Sequence, residues 1–367
     1  MNKVAIIDYA TTKFRKSTSK SIYELACEAS MEILKSSKIA ANKIDALLLS
    51  SCSNDLYSGA ITSEMLSVNP RITCKVDNLC NSGTVAISTA YSYIASGLCD
   101  SVLVVGAEMH DSPASKLIWD VSRGHFTSPI YWASVFARMH MRRYGTTEAD
   151  MAAIAVKNRS FSANNPNALF SNKPISLEDV LTSRKLVEPI KLLDCSALCS
   201  GAAGVLLVSE DLTRNLDVQP VWIKGIGQQT NCASIARAIP EIFNDGSSKR
   251  AAAYAYKMAR MNPSDIQVAE IHDAFTIMEI MAYEDLGFAR IGKGASYALE
   301  RNIEVNTRGG ILGSGHPIGA TGVAQVCEIA SQLKHEAGKR QVAGCNVGLV
   351  HNLSAAGTSA TVMILQS

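Results

Sequence analysis

The sequence lacks the features of membrane, secreted and nucleic-acid-binding proteins. No apolar run reaches the roughly 18 residues that a membrane span requires, so we expect no membrane association. The first residues contain no cationic segment followed by a long apolar one, and we therefore expect no signal peptide. The net charge is only +2, and the lysines and arginines form no basic stripe for nucleic acid.

Common metal and nucleotide motifs are also missing. The chain has ten cysteines but no pair of CxxC motifs, and Cys195 with Cys199 is by itself a poor metal signature. The phosphate-binding patterns GxxxxGKS/T and GxGxxG do not occur. Cys27, Cys99 and Cys327 lie in apolar or helical patterns, where a reduced thiol behaves as a small hydrophobic side chain. We therefore expect reduced cysteines and a cytoplasmic location.

The composition predicts a large folded core. Apolar residues make up 47% of the 367 residues and charged residues 19%, so global disorder is excluded. A chain of this length is expected to form about two domains or one large duplicated domain.

Two parts of the chain repeat the same order of predicted elements. The first part has a strand, a helix and a strand at 4–14, 21–36 and 44–52, and the second part repeats them at 221–230, 249–261 and 266–275. Two further matches are a loop that opens a helix (78–97 and 313–333) and a closing β-rich run (202–210 and 358–366). This alternation predicts an α/β layered fold with two related halves, residues 1–215 and 216–367.

The first half contains a segment, at about 110–195, that has no counterpart in the second. It carries Trp119, Trp132 and the run RMHMRRYG. An insertion of this size is typical of a lid or a substrate-facing subdomain, and a dimer-contact flap is an equal alternative.

Cys80 is the candidate nucleophile. It lies in NLCNSG, after a short strand and at the start of a predicted helix. Unpaired backbone N–H groups and the helix dipole favour a thiolate at such a position, and we expect a nearby histidine to favour it further. The small residues Ser82, Gly83 and Thr84 would let an acyl group approach the sulfur. The alternative is a buried core cysteine.

Three histidines are candidates for the same site. His316 lies in GGILGSGHPIGATG, where the glycines indicate a backbone that turns sharply and comes close to another group. His272, in VAEIHDAF, and His351, in GLVHNLSAAG, both end predicted strands of the second half. Asp273 would either cap the following helix or orient a catalytic histidine.

The predicted duplication brings these residues together. Cys80 and His316 occupy equivalent positions at the starts of matching helices, and loops at the same end of the strands converge on one crevice. A zinc site is the competing use of cysteine and histidine, but no two candidate ligands show a local zinc-binding spacing. We therefore predict no metal.

Taken together, NLCNSG, HDAF, GHPIGATG and a terminal strand followed by HN and small residues resemble the thiolase superfamily over essentially the whole chain. The pattern is most similar to archaeal acetoacetyl-CoA thiolases and sterol-carrier-type thiolases. The resemblance implies a duplicated fold of two βαβαβαββ halves, packed as an αβαβα layered core. It also implies acetoacetyl-CoA thiolase activity, in which two acetyl-CoA molecules condense reversibly through an acyl-Cys80 intermediate without a metal or redox cofactor.

The same resemblance implies a role for each motif residue. Cys80 is acylated, and His316 activates its thiol and forms one oxyanion hole with His272. The backbone N–H of Cys80 and an amide near Leu353 form a second hole. Most thiolases have a catalytic cysteine where this chain has His351, and the cysteine of HDCF motifs is Ala274 here. The acid/base is therefore expected to be His351, His272 or a relay of both.

The resemblance also leaves alternatives and suggests partners. The chain could instead be a degradative 3-oxoacyl-CoA thiolase or a non-catalytic acyl-CoA- or lipid-binding protein, although a binding module needs no reactive thiol. HMG-CoA synthase shares the fold but uses a glutamate base, and Glu108 belongs to no recognisable motif. The expected substrates are acetyl-CoA and acetoacetyl-CoA, and the chain is expected to form a homodimer or homotetramer. HMG-CoA synthase and a small zinc-ribbon/OB-fold protein are further possible partners, contacting exposed Trp and Arg residues of the insertion.

Overall fold

A computed structural model describes residues 2–116, 127–238, 245–300, 302–355 and 357–367. Trp119 of the predicted insertion lies outside these residues. The first half contains β1 (Val4–Thr11), α1 (Ile22–Ser36), β2 (Ala46–Ser50), α2 (Ser58–Met65), β3 (Ile72–Val76), α3 (Ser82–Ala95) and β4 (Ser101–Glu108). It continues through α4 (Ile130–Tyr144), α5 (Glu148–Ser162), α6 (Leu177–Thr182), β5 (Lys185–Val187), β6 (Ile190–Lys191), β7 (Gly201–Ser209) and α7 (Glu210–Thr213).

The second half repeats the order of the main elements. It contains β8 (Val221–Thr230), α8 (Ile235–Ala238), α9 (Ser247–Ala259), β9 (Val268–Glu270), α10 (Thr276–Asp285), α11 (Gly294–Glu300) and β10 (Glu304–Val305). It ends with α12 (Gly310–Ser314), α13 (Ile318–Leu333), β11 (Val347–Ser354) and β12 (Ser359–Gln366).

The strand order displays the internal duplication. The main sheet runs β10-β9-β11-β12-β8-β1-β7-β4-β2-β3, and the two halves join where β1 pairs antiparallel with β8. Read outward from this junction, β1-β7-β4-β2-β3 mirrors β8-β12-β11-β9-β10. Each strand thus has its counterpart at the same distance from the junction, which confirms the predicted α/β fold with two related halves.

Helices cover both faces of the strands. Helix α13 contacts α3 and strands of both halves, so these two helices form the middle layer, while α1 and α9 pack on the outer faces. All residues of α13 are buried, and its polar side chains, such as Gln325 and Glu328, form hydrogen bonds within the protein. Strands β4 and β7 are buried along their full length, because helices cover both of their faces.

The middle layer depends on glycines at one crossing point. A Cβ on Gly83 of α3 would lie 2.7 Å from the backbone nitrogen of Val323, and one on Gly322 of α13 would lie 2.8 Å from the backbone nitrogen of Thr84. Only glycine therefore allows the two backbones to approach this closely. The approach places the starts of α3 and α13 side by side, and these two helix starts carry the candidate site.

The structure corrects two expectations about individual segments. Trp132, expected to be exposed, is 2% exposed and belongs to a large apolar core, while Arg138, Arg142 and Arg143 on the same helix are exposed. The strand predicted at 266–275 ends at Glu270, because the amide of Ile271 bonds to the side-chain oxygen of Asn306 instead of a neighbouring strand. Within the described ranges, no helix combines the length and apolarity needed to cross a bilayer.

Candidate active site

Cys80 lies in the tight loop between β3 and α3. Leu79 adopts a left-handed backbone conformation, and Ser82 fixes the loop by accepting a hydrogen bond from the Asn78 amide (2.7 Å) and donating one to the Leu79 carbonyl (2.6 Å). The backbone N–H groups of Ala355 and of Cys80 itself favour the charged form of the sulfur. The loop thus holds the thiol beside two backbone donors.

His316 faces this thiol directly. Its Nε2 lies 3.2 Å from Cys80 Sγ, and its Nδ1 lies 2.8 Å from the hydroxyl oxygen of Thr321 in the first turns of α13. The Thr321 hydroxyl can donate a hydrogen bond to the Pro317 carbonyl, at 3.4 Å. Its oxygen is then free to accept a hydrogen bond from a protonated Nδ1 of His316. This arrangement leaves the lone pair of Nε2 directed at the sulfur, where it can accept the thiol proton.

Burial keeps both groups uncharged in the free enzyme. It raises the pKa of Cys80 to about 12, although the amides of Ala355 and Cys80 act in the opposite direction. It also lowers the pKa of His316 to about 3, with the positive charge of Arg308 adding to the effect. The prediction of an enlarged thiolate fraction at the helix start is therefore wrong for the free enzyme, because desolvation outweighs the backbone donors.

His272 is the third member of the site. It lies just beyond β9, is 4% exposed, and its ring meets the ring of His316 edge to face with centroids 5.6 Å apart. Its Nδ1 is buried without a hydrogen-bond partner among the described residues, and burial, followed by the two neighbouring histidines, lowers its pKa well below the usual value. One ligand-type atom from each of Cys80, His272 and His316 lies within 4.8 Å of the others.

Asp273 caps a helix, but not the one that follows it. Its carboxylate accepts the amides of Ile311 (2.6 Å) and Leu312 (3.2 Å) at the start of α12 and the side-chain amide of Asn158 (2.7 Å). Burial and the neighbouring Glu279 raise the pKa of Asp273 to about 7. Asp273 therefore anchors the segment that leads into His316.

His351 lies outside the cavity that Cys80 lines. Its Nε2 lies 2.9 Å from the hydroxyl of Ser248 on the outer face of the sheet, whereas the next residue, Asn352, donates to Gln325 of the middle layer (2.6 Å). Successive side chains of a strand point to opposite faces, which is why only one of the two can face α13. Burial lowers the pKa of His351 to about 3. The ring lines a small cavity of its own, and Met278 separates this cavity from the one beside Cys80 by lining both.

Two further residues differ from the sequence-based assignment. Leu353 is buried beside His351, and the amide that reaches the sulfur is that of Ala355, two residues later, whose positive φ turns the chain at the strand end. Glu108, which was assigned to no motif, is 1% exposed and accepts the amides of Gly319 (3.2 Å) in GHPIGATG and of Cys52 (2.9 Å). Its carboxyl group does not line the cavity.

A cavity of about 340 Å³ opens beside the thiol and both cavity histidines. The insertion supplies much of its wall through α4, and Ala274 lines it as well. The apolar side chains around it include Ile130, Trp132, Phe136, Phe275 and Met278. Sequence reasoning missed Thr321 and Ala355, and it placed Trp132 on the surface and not in the cavity wall. Of the two missed residues, only Thr321 could have been identified from the sequence, as a hydroxyl in the first turn of the helix that follows His316.

Comparison with known proteins agrees with this geometry. Residues 4–211 match the thiolase N-terminal domain, and residues 227–367 match the thiolase C-terminal domain-like family. Acetyl-CoA acetyltransferases from Methanothermobacter thermautotrophicus and Methanocaldococcus jannaschii are 34% and 32% identical over 99% of this chain, covering 99% and 98% of their own. Sterol carrier protein 2 from Bos taurus is 33% identical over 97% of this chain and 71% of its own.

Solved structures extend the likeness to three dimensions. The Ltp2-ChsH2(DUF35) aldolase has a TM-score of 0.86 at 25% identity, over 100% of this chain and 98% of its own. The acetyl-CoA acetyltransferase from Syntrophomonas wolfei has a TM-score of 0.79 at 19% identity, over 100% of this chain and 99% of its own, and shows the shared fold. With matching family domains along nearly its whole length, the chain belongs to the thiolase family.

Proposed function

We propose that the protein is an acetyl-CoA C-acetyltransferase that condenses two acetyl-CoA molecules reversibly into acetoacetyl-CoA and CoA. The observation that carries this proposal is the 3.2 Å contact between Cys80 Sγ and His316 Nε2 at one end of an apolar cavity. Full-length similarity to the two archaeal acetyl-CoA acetyltransferases supports the choice of acetyl-CoA.

The first half-reaction acylates Cys80. As acetyl-CoA binds, His316 takes the thiol proton, the sulfur attacks the thioester carbonyl, and the proton passes to the departing CoA sulfur. The backbone N–H groups of Cys80 and Ala355, which surround the sulfur, are placed to stabilise the carbonyl oxygen as negative charge develops. The products are acetyl-Cys80 and free CoA.

The second half-reaction forms the carbon–carbon bond. We propose that His272, with His316, removes a proton from the methyl group of the second acetyl-CoA, because both imidazoles line the cavity and burial holds them neutral. The resulting carbanion attacks the acetyl-Cys80 carbonyl and releases the thiolate of Cys80, which recovers its proton. His351 is a poor candidate, since its ring bonds to Ser248 on the other face of the sheet.

Two variants test this division of roles. His272→Ala should retain formation of acetyl-Cys80, measured as CoA release in a single turnover, but lose exchange of acetyl-CoA methyl protons in deuterated water by roughly 10²–10⁴-fold. His351→Ala, a buried histidine outside the cavity, is the matched control and should keep the exchange. Full exchange in His272→Ala with loss in His351→Ala would reverse the assignment.

A longer-chain 3-oxoacyl-CoA is the second candidate substrate, and the size of the cavity favours it. About 340 Å³ with an aromatic wall is far more space than a two-carbon acyl group fills. Thiolysis of acetoacetyl-CoA and 3-oxodecanoyl-CoA should be compared in Ala133→Val, which narrows the cavity, and in Ala137→Val on the same helix, which does not line it. If Ala133→Val loses thiolysis of 3-oxodecanoyl-CoA selectively, the second candidate is supported. Equal effects on the thiolysis of both substrates argue against it.

Oligomers and partners are proposed on separate grounds. We propose a cytoplasmic homodimer or homotetramer; the ten free cysteines suit a reducing compartment. Association with HMG-CoA synthase and a small zinc-ribbon/OB-fold protein is also proposed; the DUF35 component named for a structurally similar aldolase supports a second protein as a partner. Because Trp132 is buried, any such contact on α4 would use its exposed arginines. Size-exclusion chromatography of native lysate should show a mass above the homotetramer, and elution only as a homo-oligomer contradicts the partner proposal.

A further inference from the structure

Three atoms of types that bind zinc converge at the candidate active site. One from each of Cys80, His272 and His316 lies within 4.8 Å of the other two. The 3.2 Å between Cys80 Sγ and His316 Nε2 is close to the separation of about 3.5 Å that tetrahedral zinc imposes on sulfur and nitrogen ligands at its usual bond lengths. The ligand atom of His272, which lies at most 4.8 Å from the other two, would have to move closer to them to complete a three-ligand site.

The surroundings of both imidazoles suit metal binding. The second nitrogen of His316 faces the Thr321 hydroxyl at 2.8 Å, the kind of outer partner that orients a metal-bound histidine. The His272 ring is 4% exposed, and its Nδ1 has no hydrogen-bond partner within the described part of the chain.

We propose that Cys80, His272 and His316 form a reversible inhibitory site for a thiophilic divalent cation such as Zn²⁺, with water as the fourth ligand. Binding replaces the thiol proton of Cys80, which passes to solvent, and the metal-bound sulfur is then unavailable for acylation. Mg²⁺ and Ca²⁺ should not bind here, because these cations prefer oxygen ligands. The cation is a competitor of acylation and not a resident cofactor.

The missing spacing motif does not argue against this site. The ligands come from the loops after β3, after β9 and before α13, and only the folded chain brings them together. Metal binding itself is independent of the proposed acetyl transfer; only the inhibition rests on it.

Titration of the purified, metal-free protein with Co²⁺ tests the site through its absorption spectrum. One equivalent should produce a thiolate-to-cobalt charge-transfer band with intense tetrahedral d–d bands, and Zn²⁺ should displace the cobalt. Cys80→Ala should lose the charge-transfer band, and His272→Ala should bind Co²⁺ at least about tenfold more weakly. Cys195→Ser, which alters a second thiol lining the same cavity, should keep the band.

Wild-type protein alkylated at Cys80 after folding provides a second control and should also lose the band. A missing band at one equivalent, or a band that persists after Cys80 is replaced or alkylated, would overturn the proposal. In acetyl-transfer assays Zn²⁺ should inhibit at near-stoichiometric concentration, and EDTA should restore the rate. A cobalt band in a protein that has no transferase activity when metal-free would uphold the site and refute the proposed function instead.

Discussion

At the scale of single residues, Cys80 and His316 form a pair in which each charged form is disfavoured unless the other is present. Burial raises the pKa of the thiol to about 12 and lowers that of the imidazole to about 3. Transfer of the proton from Sγ to Nε2 changes the charge on both groups but not the number of bound protons. The population of the thiolate–imidazolium pair is therefore independent of pH between these two values.

This pairing predicts an unusual pH profile for the reactivity of Cys80. Its alkylation by iodoacetamide, followed by intact mass, should rise by clearly less than tenfold per pH unit between pH 6 and 8, whereas the reaction of an ordinary thiol with a pKa of about 8.5 rises almost tenfold per unit in this range. In His316→Ala the thiol loses its proton acceptor, so alkylation should be slower at pH 7 and should rise about tenfold per pH unit. A wild-type rate that follows the titration of a free thiol would show that the pair does not operate.

The hydroxyl of Thr321 selects the tautomer of His316. Thr321→Val removes the acceptor of the Nδ1 proton while keeping the shape of the side chain, so acylation of Cys80 should slow by about 3- to 10-fold, the equivalent of one hydrogen bond. Thr321→Ser keeps the hydroxyl and serves as the control. Rapid quenching of the first turnover with acetyl-CoA measures the rate, and equal rates in the two variants would exclude this role.

At the scale of the elements, α3 and α13 cross closely enough to align the loops that carry Cys80 and His316. The capping of α12 by Asp273 adds a second constraint, because it fixes the segment leading into His316. The sequence predicted both helices from their small apolar residues, and the glycines around His316 indicated a close backbone approach. Gly83 was expected to give an acyl group access to the sulfur, but in the structure it packs against Val323. The side of the sheet that a residue at a strand end faces cannot be predicted in the same way, which is why His351 was grouped with residues whose cavity it does not line.

A methyl group added at the helix crossing should therefore destabilise the folded protein. In Gly83→Ala the new Cβ would lie 2.7 Å from the Val323 backbone nitrogen, and the required backbone shift should lower the free energy of unfolding by about 1–3 kcal/mol. Ser92→Ala, on the exposed side of α3, is the control and should change it by less than about 0.5 kcal/mol. Chemical denaturation measures both, and equal stability of the two variants would contradict the close crossing.

At the scale of the whole molecule, the site exists because two similar halves meet. The first half supplies Cys80 and the insertion that walls the cavity, and the second supplies His272, His316 and the Ala355 amide. Motif order and the internal repeat were enough to predict the fold and the Cys80–His316 pairing. Burial, which sets the protonation of the site and hides Trp132, depends on packing between distant segments and could not be read from local patterns.

The most direct test of the proposed function is the exchange of labelled CoA into acetyl-CoA, combined with intact mass of the protein. Wild-type protein incubated with acetyl-CoA should gain one acetyl group, mapped to Cys80, and should catalyse the exchange. Cys80→Ala should lose both, while Cys195→Ser, altered at another thiol of the same cavity, should still gain the acetyl group. Exchange that persists in Cys80→Ala, or an acetyl group carried on another residue, would contradict a mechanism through acyl-Cys80.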